Sequence, residues 1–143
     1  MKNYRTWLKT AAIFQLIFGV IHASTLFINQ SPNNDTEKQL FTLMETYQFD
    51  LGAGFHRTLS ELMLVFSASL CLLYIFGGII NWYLLQKKAD REIMKGVITI
   101  NLVVFGICFG LVAAFAFLLP VILTGLVFMS LIFSRLLIRN NNQ

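Results

Sequence analysis

Three charge-free apolar runs, at residues 10–28, 62–86 and 96–134, leave this chain few ways to fold. An α-helix needs about 20 apolar residues to cross a hydrocarbon core of ~30 Å, because it rises only ~1.5 Å per residue. The first two runs each supply one span. The third is 39 residues long. As one helix it would extend about 58 Å, roughly twice the core, so it must turn back. Pro120 marks the turn, since proline cannot continue a helix but fits the first turn of a new one. The expectation is an all-α integral membrane four-helix bundle in a single transmembrane domain over 1–143, with spans at about 9–29, 58–86, 94–117 and 120–138. The turn "AFLLP" has no polar residue and is expected at the membrane interface or against the protein's own outer segment, because exposed backbone in lipid is costly.

Composition agrees. Hydrophobic residues make up 57% of the chain and charged residues 13%, against about a quarter charged in soluble domains. The net charge of +4 raises nucleic acid as a partner, but the placement of the basic residues argues for lipid headgroups instead. With the N-terminus inside, Lys2, Arg5, Lys9, Lys87, Lys88, Arg91, Lys95, Arg135 and Arg139 share one side, leaving Lys38 and Arg57 outside. Nine against two is the positive-inside pattern, which puts both termini in the cytoplasm. The start "MKNYRTWLK" imitates a secretory signal but is followed by a long span without a small-x-small cleavage site, so an uncleaved anchor is expected. Tyr4, Trp7, Trp82 and Tyr83 fall at the inner ends of spans one and two, where amphipathic rings favour the headgroup zone. Cys71 and Cys108 lie deep in apolar runs, which suits buried thiols rather than a disulfide framework or a zinc spacing.

The outer loop, 30–57, begins with turn residues. It then offers Asn34 and Glu37 as a capping box, followed by Leu40, Leu43, Met44 and Tyr47 at helical spacing. A short amphipathic helix is expected there, with Gly52 and Gly54 as a flexible corner before span two. "NDT" at Asn34 matches a glycosylation sequon, which has meaning only in a eukaryotic secretory pathway.

Polar residues inside the spans should face protein, because lipid offers them no partners. Gln15 and His22 are two turns apart on one face with Gly19 between them. Ser60, Ser67, Tyr74 and Asn81 recur every seven residues, the spacing of a left-handed helix seam. Asn101 and Cys108 share a face of span three, while Gly106, Gly110 and Ala114 form a small-residue ridge for close helix packing, within the bundle or in a homodimer.

The segment "FHRTLSELM" carries the candidate ligand site. His22, His56, Arg57 and Glu61, with Asp50 nearby, can converge at the outer ends of spans one and two, and Gln15 on the face of His22 is a further candidate ligand residue. Such a group could relay protons, hold a metal or bind a polar headgroup. The competing reading is structural: "TLSE" is a capping box in which Thr58 and Glu61 satisfy each other's amides.

The segment "YQFDLGAGFHRTLSELMLVFSASL", together with His22 near the outer end of span one, resembles a group of bacterial four-span membrane proteins that are DoxX-like in build. That resemblance implies four spans and a bacterial inner membrane, and lends no catalytic residue or cofactor. Small multidrug-resistance exporters are similar in size, but they rely on a glutamate in mid-span one, where this chain has Gln15 and His22. The glutathione and eicosanoid membrane enzymes are similar in length, but their arginine and glutamate positions within the spans have no counterpart here. The leading expectation is a non-enzymatic protein that binds a lipid-like or quinone-like ligand, or a small subunit of a membrane complex, with membrane lipid as a partner. The alternative is an enzyme or redox partner using the outer His/Glu site. A small transporter ranks third, because no ionisable residue sits near the midplane.

Overall fold

A computed structural model describes residues 4–28 and 31–140, excluding the side chains of 139 and 140. Lys2, the side chain of Arg139 and the expected end of span one at 29 lie outside that description. Four long helices are each apolar enough to cross a membrane: α1 (Tyr4–Thr25), α3 (Leu59–Gln86), α4 (Arg91–Phe115) and α5 (Leu118–Asn140). They form an all-α four-helix bundle. A short helix, α2 (Asp35–Thr46), and two three-residue strands, β1 (Gln48–Asp50) and β2 (His56–Thr58), lie between α1 and α3.

Helix ends follow local chemistry. The Asn34 side chain accepts from the Glu37 amide to start α2. The Glu37 carboxylate turns back to the Asn33 amide, one residue short of the full reciprocal box. At the start of α3 the box is complete: Thr58 Oγ1 accepts from the Glu61 amide at 3.2 Å, and Glu61 Oε2 accepts from the Thr58 amide at 2.9 Å. Lys88, at φ 49°, closes α3 in a left-handed cap, where Lys88 N–H bonds Leu85 O and Ala89 N–H bonds Leu84 O. Those two bonds are the Schellman arrangement.

Three element bounds differ from expectation. α1 begins at Tyr4 rather than near 9, so Arg5 and Lys9 are helical. Long cationic side chains near a span end reach the interface without breaking the helix. The α4–α5 break falls at Ala116 and Phe117, ahead of Pro120, which sits in the first turn of α5 where its missing N–H costs nothing. The corner at Gly52 and Gly54 is a β-hairpin, with Phe49 opposite Arg57. Gly52, Ala53 and Gly54 all have positive φ, and Asp50 Oδ1 accepts from the Gly52 amide.

α1 is the hub of the bundle: it packs extensively on α3 and α5, α5 packs on α4, and α3 meets α4 along a narrow seam. The α1–α3 contact is close because glycines line it. A Cβ on Gly78 would stand 2.7 Å from Leu16 Cγ and 3.1 Å from Ala12 O, while one on Gly19 would stand 2.6 Å from Ile75 Cγ1. Small residues that let backbones approach are the usual route to tight helix pairs in lipid, where no hydrophobic force drives helices together.

One end of the bundle, here called basal, gathers the start of α1, the α3–α4 link and the end of α5. Ser134 Oγ donates to Tyr4 O at 3.0 Å, Arg5 donates to Ala89 O at 3.5 Å, and Arg91 donates to Ile138 O. The opposite, apical end carries α2, the hairpin and the α4–α5 turn.

Candidate functional site

The polar residues inside the spans form two layers. Basally, three carboxamides meet: Asn81 Nδ2 donates to Gln15 Oε1 at 2.9 Å and to Asn101 Oδ1 at 3.3 Å, and Gln15 Nε2 donates to Asn101 Oδ1 at 3.3 Å. Asn101 Nδ2 also donates to Val97 O at 3.0 Å. One α3 turn pair further up, Tyr74 Oη shares a 2.8 Å hydrogen bond with Thr124 Oγ1 and lies 3.6 Å from Cys108 Sγ. Tyr74 and Asn81 are seven apart on α3, and Cys108 and Asn101 are seven apart on the antiparallel α4. The two seams read from the sequence therefore face each other. Gln15, Tyr74, Asn81 and Thr124 are all fully buried. No described buried side-chain N or O lacks a hydrogen bond.

Above the Tyr74 layer the polar residues of the hairpin and the start of α3 make local hydrogen bonds. His22 is half-buried and stacks on Phe18 with ring centroids 5.9 Å apart, and Phe18 in turn meets Tyr74 edge-on at 4.4 Å. His56 and Arg57 are exposed on β2, where the Arg57 guanidinium bonds the His56 carbonyl. Glu61 is exposed and its carboxylate accepts from the Thr58 amide. Asp50 caps the hairpin turn. Among the described residues no hydrogen bond joins His22 to Glu61, and no three His, Cys, Asp or Glu side chains gather as a metal site would require. The packing ridge also divides. A Cβ on Gly106 would meet Phe128 of α5 at 3.0 Å, one on Gly110 meets nothing within 4 Å, and Ala114 is exposed.

A concave site lies elsewhere, on the outer face of the α1–α3 pair toward the basal end. A groove of about 500 Å³ is lined by Ile13, Leu16 and Ile17 of α1 and by Ile79, Trp82, Tyr83 and Gln86 of α3. Its basal mouth continues into a smaller hollow of about 180 Å³ between Lys9, Trp82, Leu85 and Gln86. The groove follows from helix geometry. Gln15 and Asn81 turn inward to the carboxamide layer, so their neighbours Ile13, Ile17, Ile79 and Tyr83 face out on both helices. The Gly19 and Gly78 contacts draw the two backbones together along the same pair of helices.

The mouth is basic and aromatic. Lys9 Nζ lies 5.5 Å from the centroid of the Trp82 ring, and Lys87 Nζ lies 5.8 Å from that of Tyr83. Both distances are within reach of a cation–π attraction. The groove therefore joins an apolar trough to a cationic rim, the two properties an amphiphile needs. Sequence reasoning noticed Trp82 and Tyr83 as interface aromatics and Lys9 as an inner charge, and it had no signal that α1 and α3 bring them together. No family model, no curated protein and no solved structure matches this chain.

Proposed function

We propose that this is a non-catalytic integral membrane protein that holds a lipid-like amphiphile, its chain lying in the α1–α3 groove and its polar head at the basal mouth. The single observation that carries this reading is the continuity of an apolar trough with a lysine-bearing, aromatic rim. The groove volume of about 500 Å³ falls in the range of about 300–1,000 Å³ common to small-molecule sites. The basal end carries most of the chain's basic residues, which supports a cytoplasmic location for that end and both termini. The resemblance to DoxX-like four-span proteins supports a bacterial inner membrane.

The test is native mass spectrometry of the protein purified in a mild neutral detergent. One amphiphile per chain is expected to survive purification. Ile17→Trp, which fills the trough, is expected to remove it, whereas Ile107→Trp on the exposed face of α4 leaves it in place. Equal retention in both variants contradicts the reading, and the mass of the adduct separates a lipid from a quinone.

A second reading, a subunit contact, is favoured by α4. Gly110 and Ala114 leave its surface open where Gly106 is already covered by Phe128. A second copy or another membrane subunit packing there would complete the small-residue ridge.

A further inference from the structure

The inference drawn here rests on the reading of the α1–α3 groove as a chain-binding site, and names the headgroup that site selects. We infer that the basal mouth binds the anionic phosphodiester of a glycerophospholipid, with Lys9 and Lys87 as its two ammonium donors. The rings beneath them, Trp82 and Tyr83, both line the groove, so each charge is fixed relative to the trough by a groove residue. An ammonium resting on a ring face keeps N–H donors for other acceptors.

The charge at this mouth is uncompensated among the described residues. Among the described residues the one ion pair joins Lys95 to Glu92 at 3.8 Å, and neither Lys9 nor Lys87 meets a carboxylate. No described carboxylate faces either lysine, so an anionic ligand would complement the mouth. The trough selects its source: inorganic phosphate satisfies the lysines and leaves the groove unfilled, whereas a phospholipid satisfies both through one covalent link. Gln86, which borders the trough and the smaller hollow alike, adds a neutral donor at the junction, where the ester and glycerol oxygens of such a lipid would lie. Each basic residue close to a membrane surface favours anionic lipid. Two of them at one mouth are therefore enough to discriminate headgroups.

The experiment is native mass spectrometry of the full-length protein, delipidated in neutral detergent. It is offered an equimolar mixture of phosphatidylglycerol and phosphatidylcholine with identical chains. One phosphatidylglycerol adduct is expected to exceed phosphatidylcholine by about thirtyfold. The double variant K9Q/K87Q is expected to bring the two adducts close to parity, while K38Q at the apical end leaves the preference intact. Millimolar inorganic phosphate is expected not to displace the lipid. Equal adducts in the unsubstituted protein overturn the headgroup inference and leave the chain-binding reading standing. A preference that survives K9Q/K87Q overturns the assignment of these lysines. Displacement by phosphate identifies the mouth as a site for a free anion. Absence of any adduct removes both the inference and the function it rests on.

Discussion

Asn81 donates a 2.9 Å hydrogen bond to Gln15 across the α1–α3 interface, and both side chains are fully buried. This bond fixes the rotation of each helix about its axis. It also decides which residues face outward, and so places Ile13, Ile17 and Ile79 in a common groove. The inner polar layer and the outer apolar trough are two faces of one helix pair.

Because the three carboxamides satisfy one another, removing one is expected to cost more than its own bonds. Hydrogen bonds between membrane helices average about 0.6 kcal/mol, but an orphaned buried partner adds about 1–3 kcal/mol. Gln15→Leu is expected to destabilise the protein by about 1–3 kcal/mol in a detergent unfolding titration. The triple variant Q15L/N81L/N101L is expected to cost less than the three single losses added together. Strict additivity would show that the amides act independently.

The two groups of glycines should respond differently to the same substitution. Gly78→Val drives a side chain into Leu16 and the Ala12 carbonyl, and is expected to cost about 1–3 kcal/mol. A Cβ added at Gly110 meets nothing within 4 Å, and Gly110→Val is expected not to lower monomer stability. Thermal unfolding of both variants separates them, with the shared gain of helix propensity over glycine cancelling. If Gly110→Val instead lowers the order of the assembly measured by light scattering, the open face of α4 is a subunit contact.

At the apical end the Thr58–Glu61 pair is expected to act as a cap. Thr58→Ala should loosen the first turn of α3 by about 1 kcal/mol in hydrogen exchange, the usual cost of a lost N-cap. Neither that substitution nor His22→Ala is expected to change the retained amphiphile. Loss of the bound molecule in His22→Ala would move the ligand site to the apical half of the bundle.

Much of the fold was legible in the sequence because it follows from length, charge and period. The long run that ends beyond Pro120 had to fold back. The seven-residue spacing of Tyr74 and Asn81 marked the inward face of α3, and "TLSE" marked its start. The β-hairpin left no such trace. Its strands are three residues each, too short for an alternating pattern, and Ala53 takes a positive φ that its type does not advertise. Whether the Gly106, Gly110 and Ala114 ridge packs within the bundle or against a second copy depended on which helix lies opposite, which a single chain's spacing does not encode. The groove was illegible for the same reason. Ile13 and Ile79 look like any lipid-facing isoleucines until α1 and α3 are set side by side, and the carboxamides that hold them there belong to three different helices.

The most direct measurement uses Trp82 as a reporter inside the groove. Trp7 packs at a tilt against Phe133, with ring centroids 4.7 Å apart, and is absent from the groove lining, and Trp7→Phe leaves Trp82 as the sole tryptophan. The W7F protein is reconstituted in bilayers whose phosphatidylglycerol carries bromine on its acyl chains as a minor fraction. Quenching of Trp82 should exceed the level set by the bulk mole fraction and saturate at a low fraction of the brominated lipid, and Ile17→Phe, as the groove-filling control, should return quenching to the bulk line. Quenching that follows the bulk fraction in both proteins would mean that the trough holds no chain of its own, contradicting the account.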